Sequence, residues 1–556
     1  MIDRPNFLFI STHDLNPDLG TYDGVWPNAG QAPTPRLDRL AAEGERFDQA
    51  FAAAPVCSPS RAAIFTGRYP TSIGTMHMRS RPIVPADVEL FTQALRRAGY
   101  FTTNNWFTDM NLDVPPTAFD DCSDTAHWRD RPDPSMPFFA AFHSAITHES
   151  RIHATGETLE DMLPHVPAAN RVRPVDVRLP PYHPDTPEFR TAWSTYLNLI
   201  TEMDDWVGTL LDQLEDDGLA DRTVVIFWSD HGAGLPGAKR WASEAGLRVP
   251  LIVRWPGRIA PGTVRTDPVE LQDLAPTVLS LASVTDHAPV DGAELYAPDG
   301  SPRHARDRAF AARDRMVDEH DASRTVRDSR YRYVRHIHPD RPWMQHAHYP
   351  DSFPTWKALR SLSYREAQQV GDGRVPSLLT PEQRRLIAPT KDAEELYDIS
   401  SDPHQTTNLL GRPELAAKTD ELRNALDEWL IRTGDLGLRD EEALLTQWRP
   451  DGASPQTAPP EVTAVDGAFV AESNEPGASI GWSREEPSER PPLALEIRMG
   501  PRMTFAQRWE LYTGPVTAAE GPVRFRAWRL GYEPSDVIVA SETDAHDTRR
   551  AAMGER

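Results

Sequence analysis

Cysteine is nearly absent: Cys57 and Cys122 are the only two in 556 residues. One disulfide at most could form, which excludes the cross-linked framework of small secreted domains. Long apolar runs are missing too. No stretch approaches the ~20 residues that a membrane-spanning helix needs, so no membrane partner is expected. The opening MIDRPNFLFISTHD lacks the basic start, long apolar centre and small-residue cleavage site of a secretory signal. A cytoplasmic location is the resulting expectation. Positive charge is also short, with 59 Lys and Arg against 83 Asp and Glu, a formal net charge of -24. That balance argues against nucleic acid and anionic membranes as general partners, while a local pocket of cations could still take a small anion.

What the chain does have is a series of short apolar runs that do not alternate with polar residues, the pattern of strands buried on both faces of a parallel sheet. They are NFLFIS (6–11), YFTTN (100–104), PFFAAF (137–142), TVVIFWS (223–229) and PLIVRW (250–255). Helical patterns lie between them. In TPRLDRLAAEG, Thr34 is placed to cap a helix, Pro35 to open it and Gly44 to stop it. Strands alternating with helices predict an α/β fold with a large, mixed, mostly parallel sheet flanked by helices. We assign this catalytic unit to residues 1–300 and a smaller α+β subdomain to 301–445. The second contains a strand near RYRYVRHIH and a long amphipathic helix, PELAAKTDELRNALDEWLIRTG. A Pro-rich linker (446–462) leads to an accessory antiparallel β domain (463–541), read from LALEIRMG and VRFRAWRLGY. The tail 542–556 is expected to be disordered.

In open α/β sheets ligands bind beyond the carboxyl ends of the strands. Here those ends are followed by His13 and Asp14, by Asn104 and Asn105, by His148, and by Asp230 and His231 with Lys239 and Arg240 beyond. Imidazoles, carboxylates and cations thus converge on one edge. Cys57 adds to them. Pro59 is expected to open a short helix that Gly67 stops, placing Cys57 at a helix N-terminus, where free N–H groups favour an anion. Arg61 follows one turn later on the same face.

The run CSPSRAAIFTGRYP resembles the signature of the formylglycine-dependent (type I) sulfatases of the alkaline phosphatase superfamily, in which Cys-x-Pro-x-Arg precedes Thr-Gly-Arg. PNFLFISTHD, TPRLDRLAAEGERFDQAF, PFFAAFHSAITHES, SDHGAGLPGAKRWASEAGLRVPLIVRWPG, LQDLAPTVLSLA and ELYDISSDPHQTTNLL match in the same order, so the likeness spans roughly residues 5 to 435. GTMHMR, TTNN, THES and AARDRM most resemble the sulfamidase-like (heparan N-sulfatase-like) bacterial branch.

The resemblance implies an alkaline-phosphatase-like fold and hydrolysis of a sulfate ester or N-sulfate, on a sugar or amino sugar. It implies that a formylglycine-generating enzyme oxidises Cys57 to an aldehyde. The hydrated aldehyde attacks sulfur with one hydroxyl and expels sulfate with the other, whereas a serine would strand the sulfate as a stable ester. By the same resemblance Asp14, Asp230, His231 and residue 57 hold one divalent metal, Arg61 and Lys239 hold charge beside it, and His148 faces the sulfate and could protonate the leaving group. His77 is a further pocket candidate.

Two positions depart from the family pattern. His13-Asp14 stands where adjacent aspartates are usual, which weakens the first expectation, calcium, and opens manganese or zinc. Phe107 stands where relatives carry a lysine, so Arg240, Arg79 or another cation would have to substitute, and Phe107→Lys is expected to retain or raise activity. Fewer cations suit a singly charged sulfate better than a doubly charged phosphate monoester. The alternatives are a phosphonate or phosphate monoester hydrolase of the same superfamily and a catalytically weak anion- or sugar-binding relative. In the accessory domain Trp509, Tyr512 and Tyr532 read as core aromatics before sugar-stacking ones.

Overall fold

In a computed structural model of the chain, residues 4–304, 306–376, 378–485 and 508–541 are described. Eight strands hydrogen-bond in the order Thr263–Arg265, Glu45–Phe47, Leu251–Arg254, Thr223–Ser229, Asn6–Thr12, Phe138–Ser144, Phe101–Asn105, Asp121–Cys122. The run from Thr223–Ser229 to Asp121–Cys122 is parallel throughout. Its strands are apolar on consecutive residues because both faces are covered. Phe7 and Phe9 join one core with Ile64, Phe65 and Phe91, while Leu8 and Ile10 join the other with Tyr196, Ile200 and Met203 of the long helix Pro187–Asp216. Truncating a side chain such as Phe65 in this packing costs about 3–5 kcal/mol.

One strand runs against expectation. Leu251–Arg254 is antiparallel to Thr223–Ser229 and to Glu45–Phe47. A parallel return needs a crossover, usually a helix, that carries the chain back to the other edge of the sheet. Residues 230–250 instead carry Asp230, His231, Lys239 and Arg240 at the carboxyl edge, pass through the short helix Glu244–Leu247 and strand Arg248–Val249, and the chain re-enters from there. Thr34 is a second correction. It occupies the cap position of Pro35–Glu43, but its hydroxyl donates to Asp38 and makes no cap bond. Asp204, from Pro187–Asp216, accepts from the backbone N–H groups of Arg36 (3.0 Å) and Leu37 (2.8 Å) and so caps one helix from another.

The smaller subdomain is a four-stranded antiparallel sheet, Ala309–Arg313, Ser323–Arg327, Tyr331–His336, Glu394–Asp398. Helix Ala416–Thr433 covers it through Leu422, Leu426 and Trp429, and Gly434 ends that helix with a left-handed φ of 62°. The subdomain reaches the catalytic edge: Ala312 N donates to Ala53 O, and Met78 N to Arg315 O. The linker is docked, with Thr457 N donating to Glu533 O at 2.9 Å. Beyond it two small antiparallel sheets pack around Phe469, Val523 and Phe525. Trp509 lies edge-on to Trp528 and Tyr512 to Phe525, as core aromatics do, while Tyr532 sits under the Arg529 guanidinium. LALEIRMG and the tail lie outside the described residues. No helix among the described residues is long and apolar enough to cross a membrane.

Candidate active site

Register explains why the site forms. Thr12 pairs with Ser144 on one side and Ser229 on the other, so three parallel strands end level. The residues just beyond them, His13-Asp14, Thr147-His148-Glu149 and Asp230-His231, therefore meet. Helix Cys57–Thr66 is buried along its whole length and begins at Cys57, two residues before Pro59, so the cysteine occupies the first helical position.

Around Cys57 the ligand atoms of His13, Asp14, Cys57 and Asp230 all lie within 4.8 Å of one another, every residue buried. His13 is turned into the cluster, with Nδ1 3.0 Å from Asp230 Oδ2. Its Nε2 is buried without a protein hydrogen-bond partner among the described residues, an open donor position of the kind a cation fills. His231 adjoins this set. Its Nδ1 faces Gly232 O at 3.0 Å, which puts the ring proton there and leaves Nε2 as acceptor for the Cys57 thiol, 3.1 Å away. Two carboxylates, two imidazoles and residue 57 thus fit a divalent ion.

The cations are placed as firmly. Lys239 Nζ donates to both oxygens of Asp14, at 3.1 and 2.9 Å, and lies 2.9 Å from Glu149 Oε1. Burial pulls its pKa down, but Asp14, Cys57 and Glu149 outweigh burial and hold the ammonium well above its ordinary range. Arg61 spends Nε on Thr108 O and Nη2 on Phe107 O, leaving Nη1 buried and unpartnered among the described residues. Arg240 forks onto Glu149 at 2.8 and 2.9 Å. Asp14 (φ 53°) and Arg240 (φ 82°) both adopt left-handed backbone, which costs about 1–3 kcal/mol each and persists where surrounding bonds impose it. Arg240 is clamped by its N–H on Pro55 O and by Arg313 Nε on its own carbonyl.

Burial sets the proton states of the neutral groups. It pushes the Cys57 thiol well up, so the unmodified side chain is a poor thiolate. It pushes His148 down to about 3. The Nδ1 of His148 accepts from Ser150 N–H at 3.3 Å, so Nε2 carries the ring proton. His148 is accordingly a neutral hydrogen-bond donor and not a cationic acid. The Asp230 carboxyl is raised by burial but overcompensated by His231, His13 and Arg61, ending well below the usual range.

Phe107 is packed. Its ring lies 4.5 Å edge-on to His13 and 4.9 Å beneath the Arg61 guanidinium. An ammonium there would sit against Arg61, which argues against the expectation that Phe107→Lys retains or raises activity. His77 is buried, 3.9 Å from Glu441, at the seam where Met78 meets Met316. Arg79 is exposed. Glu149 is the residue that strand-end reasoning passed over. Its signal was adjacency to His148 in THES.

A sulfatase family model matches residues 5–284, half of the chain, and a model for the C-terminal region of N-sulphoglucosamine sulphohydrolase matches 237–348. An ulvan-active sulfatase from Formosa agariphila is 32% identical over 98% of this chain and 92% of its own length. The chain belongs to the sulfatase family. It is a sulfuric ester hydrolase whose second matched region agrees with the sulfamidase-like assignment. Solved structures share the fold: one captured with its substrate D-glucosamine-2-N,6-O-disulfate superposes with a TM-score of 0.53 at 20% identity, covering 79% of this chain and 100% of that one. A phosphonate monoester hydrolase of Agrobacterium radiobacter does so with a TM-score of 0.56 at 18% identity, over 78% and 97%.

Proposed function

We propose that this sulfatase acts on a sulfated sugar or amino sugar, as an O-sulfate or N-sulfate, with residue 57 as nucleophile after conversion to formylglycine by a formylglycine-generating enzyme. One observation carries this: a helix begins at Cys57 inside a buried cluster of metal-ligating groups and a protonated lysine. When present, the aldehyde hydrate supplies a hydroxyl nucleophile and a divalent ion the charge that activates it. His13, Asp14, Asp230, His231 and residue 57 would hold that ion. Two imidazoles in reach move the expected metal from calcium toward manganese or zinc.

The chain's own groups do the rest. Lys239 stays protonated and binds sulfate oxygen on the leaving-group side. Arg61 holds an unspent N–H beside residue 57, and the N-terminal amides of Cys57–Thr66 add positive potential. His148 donates a hydrogen bond from Nε2 to the ester oxygen without giving up its only proton. Sugar is the favoured leaving group because ulvan and a glucosamine disulfate are what the named relatives act on or bind.

The test is sulfate release, by ion chromatography, from O- and N-sulfated mono- and disaccharides, with matched aryl phosphonate and phosphate esters as comparators. Protein co-expressed with the maturation enzyme should release sulfate from at least one saccharide. Faster turnover of the phosphonate would replace this proposal with the phosphonate hydrolase one.

A further inference from the structure

Glu149 is buried to 2% exposure and both its oxygens are committed: Oε1 to Lys239 and Arg240 Nη2, each at 2.9 Å, and Oε2 to Arg240 Nη1 at 2.8 Å. Its backbone N–H donates to Asp14 Oδ2 at 2.8 Å. Its Cβ packs so closely on Gly234 that a side chain there would collide with it. Glu149, Asp14 and His148 could together ligate a cation, but the Lys239 ammonium already lies between the two carboxylates. Glu149 is thus a fixed anion inserted between Lys239 and Arg240, and Lys239 also contacts Asp14 of the cluster around residue 57.

Its effect is on charge. A buried carboxylate that shares the lysine proposed to bind the substrate's anionic group repels a second negative charge on that group more than it perturbs the first, which Lys239 and Arg61 already meet. We propose that Glu149 is the positioning residue that tunes this site to a singly charged ester: it neutralises Arg240, shares Lys239, and so disfavours the doubly charged phosphate monoester. This rests on the sulfatase reading above. It names what enforces the preference.

The experiment compares kcat/KM for p-nitrophenyl sulfate and p-nitrophenyl phosphate in wild type, Glu149→Gln, Glu149→Asp and Arg240→Met, with metal content and far-UV circular dichroism recorded for each. Glu149→Gln should raise the phosphate-to-sulfate ratio about tenfold or more, mainly through KM, the scale set by one partly screened charge. Glu149→Asp should keep the wild-type ratio even if both rates fall. Arg240→Met, which removes a cation and leaves Glu149, should move the ratio the other way, and it carries the test if Glu149→Gln does not fold. An unmoved ratio in folded, metal-replete Glu149→Gln, or in Arg240→Met where it is the test, would overturn the proposal while leaving the sulfatase reading intact. A wild type that prefers the phosphate ester would sink both.

Discussion

Two of the protein's buried charge clusters differ in what they leave open. One is the site. The other joins Tyr69, Glu270, Gln272, Asp273 and Arg306, all inside the protein or nearly so. There, every carboxylate oxygen has a partner. Glu270 accepts from Tyr69 Oη, Gln272 Nε2, Phe310 N and Arg306; Asp273 accepts from Ala293 N, Glu270 N and Arg306. What it leaves open among the described residues is Gln272 Oε1 and Arg306 Nε, outside any metal-ligating set, whereas at the site His13 Nε2 is open within such a set and Arg61 Nη1 is open one turn from Cys57. Proton affinities diverge as well. One arginine serves two carboxylates in the first cluster, so burial wins and both pKa values rise, Glu270 to about 7. At the site His231, His13 and Arg61 together outweigh burial and Asp230 is held low. Ionic density alone therefore does not mark a functional site. An open ligand atom inside a buried metal-ligating set, beside strained backbone, does.

Breaking each cluster should separate activity from stability. Cys57→Ser keeps size and burial but loses the maturation substrate. Sulfatase activity should fall on the order of 10⁴-fold, the scale of nucleophile loss in other hydrolases, while urea denaturation changes by less than about 1 kcal/mol. Arg306→Met should do the reverse. Removing the arginine that both buried carboxylates share should cost about 3–5 kcal/mol in the same measurement, with kcat of the surviving folded protein near wild type.

Asp18 isolates charge from hydrogen bonding, since it accepts from Trp26 Nε1 and Tyr196 Oη but has no cation. Burial raises it from 3.8 to about 6. The folded chain holds that proton more tightly than the unfolded chain. Its contribution is therefore full below pH ~4 and lost as pH rises through ~6. Asp18→Asn should stabilise the protein by about 3 kcal/mol at pH 8, by about half of that at pH 5, and the gain should vanish below pH ~4. A gain independent of pH would mean that the carboxylate is not paying for its burial.

Much of this was legible in the sequence for reasons that are local. Continuous apolar runs specify strands buried on both faces, and the polar residues after them specify one edge, which is how His13, Asp14, His148, Asp230 and His231 could be grouped before any coordinates. What was not legible is long-range. The antiparallel entry of Leu251–Arg254 depends on where the 230–250 loop lies, not on the strand's own residues. Asp204 caps a helix from more than 160 residues away in sequence. Glu149 drew no reading from the sequence, because its place depends on Lys239 and Arg240 closing on it. Phe107 looked like a missing cation, and only its contacts with His13 and Arg61 show what occupies that place.

The most direct test of the central claim is peptide mass spectrometry across Cys57, on protein co-expressed with a formylglycine-generating enzyme and alongside a control sulfatase. The account predicts the aldehyde or its hydrate at position 57. Unmodified thiol throughout, with the control converted in the same cells, would contradict it.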